Sequence, residues 1–199
     1  MRVTVVVAVL AWAVSVNALT VNTNQLKKKE FGMAGIESLQ KLGMMFKEAF
    51  GIGTDSPQQE IVDTLKNKGY GDEAIAGIMG NIELETGGTF DYEQKEKGGN
   101  AYGLFQFDFM KPYYENYLEE NNKDDSIKSQ IDFMDGVVKG DIPMLAEKEG
   151  AMLKGYLFSG KSSPSEIAQA FNAFFEKGKL KTKYGDRREL ADKNYSLFF

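Results

Sequence analysis

The chain predicts a mainly helical domain with one small loop or hairpin region. Three observations carry this reading. Apolar residues recur at spacings of three and four over several separate stretches. Two of those stretches open on Ser-Pro, with Gln or Glu three residues after the serine, which is how a capped helix begins. One glycine-rich interval, residues 86–103, has no helical period.

Taken in order, Met1-Arg2 precedes an apolar stretch from Val3 to Val16, and Val16-Asn17-Ala18 supplies the small residues a signal peptidase reads. The stretch is shorter than the ~20 residues a spanning helix needs. Residues 1–18 are therefore expected to be a secretory signal peptide cleaved after Ala18, and the mature protein to be secreted. Residues 19–55 follow as a polar linker with Lys27-Lys28-Lys29 and an amphipathic helix. On that helix Phe31, Gly35, Leu39, Leu42, Phe46 and Phe50 share one stripe. The stripe is expected to pack on the domain; contact with a membrane or a partner protein through residues 31–50 is the other reading.

The domain itself is expected over residues 56–199, as a monomer. Ser56 caps a helix that buries Ile61, Val62 and Leu65 and closes at Gly69. Asp72 starts the next helix, with Ile75, Ile78, Met79 and Ile82 along one side and Glu85 at its end, directly before Thr86-Gly87-Gly88. Residues 86–103 form a loop or short hairpin. A helix is predicted over Ser126–Val138 through Ile127, Ile131, Phe133, Met134 and Val137, and another from Pro143 to Leu157. Ser163-Pro164-Ser165-Glu166 is a capping box opening a helix that buries Ile167, Ala170, Phe171, Phe174 and Phe175 and ends at Gly178. A short helix over Arg187–Tyr195 completes the domain.

Composition narrows the chemistry. The 199 residues include no Cys and no His. That excludes a Ser-His-Asp triad, a thiol nucleophile, a disulfide framework and a His-x-x-x-His zinc site. Carboxylates are plentiful: 29 Asp and Glu against 24 Lys and Arg, a net charge of -5 that argues against nucleic acid as a partner. No Asp-x-Asp-x-Asp calcium loop is present, so neither metal nor cofactor is expected. What remains is a Ser/Thr–Lys pair, a carboxylate-bound metal or, favoured over both, carboxylate acid–base catalysis. Glu85 fits it, because a carboxyl held by a hydrophobic helix beside a turn can be desolvated enough to act as a general acid on a glycosidic oxygen. Glu83, two residues away on another helix face, is expected to be solvated.

At this point particular segments become informative together. Gly80-Asn81-Ile82-Glu83-Leu84-Glu85-Thr86-Gly87 resembles the Gly-Asn-x-x-x-Glu-Ser/Thr-Gly segment of the phage tail lysozyme family, within the lysozyme-like superfamily. Tyr102-Gly103-Leu104-Phe105-Gln106-Phe107 is similar to its Tyr-Gly-Leu-x-Gln-Trp segment; Gly-Leu-x-Gln also occurs in goose-type lysozymes and soluble lytic transglycosylases. Gln130-Ile131-Asp132-Phe133 resembles the family's Gln-Leu-x-Phe helix. Ala168 to Gly178, with Arg187-Arg188 and Ala191, is similar to its C-terminal portion. The four segments occur in the family's order across residues 56–195.

The resemblance implies a lysozyme-like α+β fold and a bacteriolytic muramidase that cuts the β-1,4 bond between N-acetylmuramic acid and N-acetylglucosamine in bacterial peptidoglycan, with Glu85 as the acid. A lytic transglycosylase giving an anhydro product, a glycan-binding module without activity, and a membrane-active secreted protein are the alternatives. Virion association becomes the alternative to secretion. An inverting hydrolase needs a second carboxylate about 6.5–9.5 Å from the acid; of Asp91, Glu93, Glu96 and Asp108, Asp91 is assigned this role. Tyr102, Gly103, Leu104 and Gln106 are assigned to substrate binding. Tyr102 is suited to orienting Glu85 or stacking on sugar, Gly103 to close backbone approach, and Gln106 to the N-acetyl group, a water or loop backbone. Phe107 stands where Trp would stack on sugar. Asn81 is expected to tie its helix to a loop, and Arg187 and Arg188 to form surface salt bridges or to meet peptide-stem carboxylates.

Overall fold

The computed structural model describes residues 56–178, 181–183 and 185–199. The signal peptide expected over residues 1–18 and the linker and helix expected over residues 19–55 lie outside the described residues. What is described is mainly helical. Helix α1 spans Pro57–Asn67, α2 Asp72–Glu85, α3 Lys111–Glu120, α4 Ile127–Lys139, α5 Glu147–Phe158, α6 Pro164–Phe171 and α7 Arg187–Phe198. A π-helical turn, Asn172–Glu176, extends α6. Strands β1 (Lys181–Thr182) and β2 (Gly185–Asp186) pair antiparallel, Lys181 opposite Asp186 and Thr182 opposite Gly185.

The caps form largely as the sequence predicts. Ser56 Oγ accepts from the Gln59 N–H at 3.2 Å, but the Gln59 side chain donates forward to Asp63 Oδ1 at 3.0 Å instead of closing a box. Gly69 follows α1 in left-handed backbone, φ 89°. The Ser163–Glu166 box is complete, with Glu166 Oε2 accepting from the Ser163 N–H at 2.8 Å. Ser126 caps α4 by accepting from the Ser129 N–H at 3.1 Å.

Four departures have local causes. Helix α3 was not anticipated: its KPYYENYLEE sequence buries only Tyr114, so it shows little apolar period. The helix expected from Pro143 starts four residues later, at Glu147, because Ala146 is the extended N-cap residue. The α6 helix does not run unbroken to Gly178. It widens into the π turn at Asn172, and Lys177, in left-handed backbone at φ 54°, closes it by donating to Asn172 O at 2.6 Å. The β1–β2 ribbon is too short to leave an alternating pattern.

Helix α2 is the axis of the domain. Ala74 through Ile82 are all buried, so it is a central helix rather than an amphipathic surface one. Two glycines let its neighbours come close. A methyl group at Gly77 would lie 2.5 Å from Ile167 Cγ2 of α6, and one at Gly80 would lie 2.6 Å from both Ala191 N and Arg187 O of α7. The far side of the core is aromatic: the Phe107 ring packs on Tyr114 at 5.2 Å and edge-on to Phe133 at 5.4 Å. Phe107 is fully enclosed there, so the stacking role implied for that position is not available to it.

Because the obstacle at Gly80 is backbone, Gly80→Ala is expected to push α7 off α2 and cost about 1–3 kcal/mol, read as a lowered denaturation midpoint with unchanged slope. Acid is expected to loosen the start of α7. The Asp186 side chain caps that helix, and the hydrogen bond from Arg188, reinforced by Lys181, holds its carboxyl well below the usual range. That stabilisation is complete above the ordinary Asp value of about 4 and is lost as pH falls below it. Asp186→Asn should therefore be less stable than wild type at pH 7, with the gap closing as pH drops below about 4, measured by denaturant titration across that range.

Candidate active site

The carboxyl of Glu85 ends α2 at the surface of the helix pack, its side chain 21% exposed. Arg187, the first residue of α7, is 1% exposed and donates from Nη2 to Glu85 Oε1. The surface role expected for Arg187 is thus corrected: it is a buried cation, and its other amine, Nη1, donates to Asn81 Oδ1 at 2.9 Å. Asn81 is fully buried one turn before Glu85, and its amide donates to Gly77 O at 2.9 Å and Ala168 O at 3.2 Å. Asn81 therefore ties α2 to α6, a helix rather than a loop, and aims Arg187 at Glu85. Arg188 pairs with Asp186, 2.7 Å from Nη2 to Oδ2.

Glu83 is not solvated. Its side chain is 11% exposed, Oε1 pairs with Lys193, and Oε2 accepts from Asn194 Nδ2 at 2.8 Å. The two carboxylates thus divide between two ends of the same helix contact, Glu83 locking α7 in place and Glu85 reaching a position where solvent has access.

Around Glu85 the chain closes through its turns. Thr86 Oγ1 donates to Ile82 O at 2.8 Å and accepts from the Phe90 N–H at 3.1 Å, which fixes the helix end. Gln94 Nε2 donates to Glu85 O at 3.2 Å, while Gln94 O accepts from the Gly103 N–H at 2.8 Å. Gln94 therefore fastens the Tyr102-Gly103-Leu104 strip to the end of α2; it lies in a polar interval with no pattern to single it out. Lys95 and Tyr102 add an isolated antiparallel bridge.

The residues assigned from sequence divide as follows. Asp91 is exposed, and its Oδ1 accepts from the Glu93 N–H at 2.9 Å in a local turn. Tyr102 is half-buried and its hydroxyl donates to Asp125, which also accepts from the Tyr114 hydroxyl at 2.6 Å. Burial, together with Asp125, pushes both phenols well above the usual tyrosine range. These groups border a cleft of about 300 Å³ with Lys95, Lys111 and Leu118. Gly103 has φ 78°, and a Cβ there would lie 2.4 Å from Gln130 Oε1. Leu104 is fully buried and its N–H donates to Gln130 Oε1 at 2.8 Å. Gln106 Nε2 donates to Gly103 O at 2.8 Å, the loop-backbone option among its three.

Two residues, buried Gln130 and half-buried Glu176, entered the sequence reading only through the resembling segments. Gln130 holds the strip from below, also donating to Tyr92 O at 2.8 Å and Asp125 Oδ1 at 3.1 Å. Glu176 ends the π turn. Its Oε1 is buried with no hydrogen-bond partner among the described residues. Burial pushes its carboxyl well above the usual carboxylate range; the charge of Glu85 acts in the same direction and Arg187 against it. A glutamate following two phenylalanines reads as the polar edge of a helix, which is why sequence alone did not flag it.

No curated protein matches the chain significantly. The family model described as phage tail lysozyme matches residues 56–198, from the cap of α1 to the last residue of α7. That span contains the whole Glu85–Arg187–Asn81 constellation and its lysozyme-like, mainly helical fold. A lysozyme-type, peptidoglycan-degrading role comes with the match, and by it the chain belongs to the phage tail lysozyme family.

Proposed function

We propose that this protein is a peptidoglycan muramidase, hydrolysing the β-1,4 bond between N-acetylmuramic acid and N-acetylglucosamine with Glu85 as the general acid. The observation that carries this reading is the carboxyl at the end of a buried helix, reached by solvent on one side and backed by a buried guanidinium on the other. Glu85 gives a proton to the bridging oxygen, the bond from that oxygen to the anomeric carbon breaks, and the sugar carbon takes on cationic character. As the proton leaves, Glu85 becomes a carboxylate, and Arg187 stands where it stabilises that charge. An interaction that strengthens as the reaction proceeds lowers the barrier rather than merely binding substrate.

Asp91, on the solvent side of the turns that Gln94 ties to α2, is the proposed base. It takes a proton from water as that water adds to the anomeric carbon from the opposite face. Tyr102, Gly103 and Gln106, with the backbone around Leu104, form the proposed saccharide-binding strip. The cleft beside Tyr102, at about 300 Å³, is of the size small-ligand sites begin at. Its Lys and Tyr groups suit a polar, hydroxyl-rich chain. Secretion into the space where peptidoglycan is met completes the proposal.

Glu85→Gln keeps the shape and removes the transferable proton. It should lower the rate of cleavage of purified peptidoglycan by about 10²–10⁴-fold while the protein stays folded; activity that survives the exchange refutes the assignment. Mass spectrometry of the digest should show reducing-end muramic acid carrying one added water. A product dominated by anhydro-muramic acid would instead mean that the substrate's own hydroxyl is the acceptor and that Asp91 is not a base.

A further inference from the structure

Three cations of the α2–α7 region have carboxylate partners: Arg187 holds Glu85, Arg188 holds Asp186 and Lys193 holds Glu83. Two others border the cleft beside Tyr102, and neither is held so closely. Lys95 is exposed and forms no ion pair among the described residues. Lys111 pairs with Glu115 at 3.8 Å, with the Glu115 side chain 61% exposed. The Lys111 ammonium also stands over the Tyr102 ring, 5.6 Å from its centroid. An exposed pair of this kind contributes little, so an incoming anion can replace Glu115 at small cost.

The walls of the cleft keep those two ammoniums available. Lys111, Tyr114, Glu115 and Leu118 fall at i, i+3, i+4 and i+7 of α3, so one face of that helix forms one side. Lys95 and Tyr102 contribute from the isolated antiparallel bridge. The Glu96 N–H donates to Ala101 O at 2.9 Å and the Gly103 N–H to Gln94 O at 2.8 Å to either side of that bridge. Asp125 also lines the cleft and is a carboxylate that could have drawn in a lysine. It is occupied instead by uncharged donors: the hydroxyls of Tyr102 and Tyr114, and Gln130 Nε2 at 3.1 Å. Its charge is met by hydrogen bonds, and the ammoniums are left for an anion from outside. Leu118 and the two phenol rings add apolar surface.

The chain itself joins this cleft to the proposed acid. Gln94, next to Lys95, donates from Nε2 to Glu85 O at 3.2 Å, and its carbonyl accepts from the N–H of Gly103, next to Tyr102. Lys95 and Tyr102 are therefore each one residue along the chain from the tie to α2. In peptidoglycan the muramic acid carries a peptide stem, whose free carboxylates are anions close to the bond cut. Resting on the muramidase reading, we infer that this cleft takes that acidic stem. Lys95 and Lys111 meet its carboxylates, while Leu118 and the rings of Tyr102 and Tyr114 lie against its aliphatic groups. The enzyme then recognises the peptide as well as the glycan, and cuts beside stem-bearing muramic acid in preference to bare glycan.

The test uses the full chain and two substrates made from one peptidoglycan that hydrofluoric acid has freed of wall phosphate polymers: strands with their stems, and strands whose stems an amidase has removed. Wild type is expected to cut stem-bearing strands with a kcat/KM about 5–10-fold higher, carried by KM, and to lose that preference as salt rises to about 0.5 M. The double variant Lys95→Gln, Lys111→Gln should lose the preference by a raised KM on stem-bearing strands with kcat within about twofold, and Lys95→Arg, Lys111→Arg should keep most of it. Equal cutting of both substrates by wild type, or a preference that the glutamine variant retains, overturns the inference. So does a preference present only before the acid treatment, which assigns the lysines to wall phosphate. Binding gives a readout apart from catalysis. The synthetic peptide alanyl-γ-glutamyl-lysine should shift the NMR signals of the Tyr102 ring in wild type, and its analogue with both carboxyls amidated should not; the same response to both, or to neither, overturns the inference. If wild type leaves every substrate intact yet discriminates the two peptides, the muramidase reading fails and the cleft assignment stands. If it cuts both strand types alike and discriminates neither peptide, the cleft assignment alone is lost.

Discussion

The contact between Arg187 and Glu85 is the constraint on which the rest of the domain depends. A fully buried guanidinium cannot be left without an anion, because removing one partner of such a pair strands a charge at a cost of about 3–5 kcal/mol. The fold therefore has to deliver the first residue of α7 to the last turn of α2, across a separation of about a hundred residues. Each unusual feature nearby serves that delivery. Gly80 lets the two helices approach to backbone contact. Asn81 receives the second amine of Arg187 while holding α6. Glu83 grips α7 further along through Lys193 and Asn194. Asp186 caps the helix that Arg187 begins.

The aromatic core and the surroundings of Glu85 are held together in different ways. Phe107, Tyr114 and Phe133 pack by area and ring geometry, and substitution there would be a matter of volume. Around Glu85 the packing is instead a matter of satisfied donors and acceptors: Thr86, Gln94, Gly103, Gln106 and Gln130 each bond backbone from a neighbouring segment. The result is a set of turns as well fastened as a helix, which is what a site on loops needs if its groups are to be held in place. Oε1 of Glu176 and Oδ1 of Asn172 are buried without a hydrogen-bond partner among the described residues.

Much of the fold was legible from local rules. Serine caps, proline at the first helical position and apolar spacing located α1, α2, α4 and α6, since each depends on residues within a few positions of one another. Helix α3 was not legible because a helix burying one tyrosine leaves almost no period, and the start of α5 was misplaced because a proline marks a helix start only when the residues after it also turn helical. For the site, Glu85 could be singled out by its position between an apolar helix and a glycine turn. Arg187 could not, because nothing near it in sequence shows that its side chain will be enclosed.

What the sequence determined by itself is the helical class, the family segments and their order, and the absence of histidine and cysteine chemistry. These follow from residue identity and short-range spacing. What only the tertiary structure decided is which charged groups share a space: Arg187 with Glu85, and Glu83 with Lys193 and Asn194 of α7 rather than with water. Burial and charge pairing are properties of segments that meet in three dimensions, and here they meet where Gly77 and Gly80 let α6 and α7 lie against α2, a closeness that no one-dimensional pattern records.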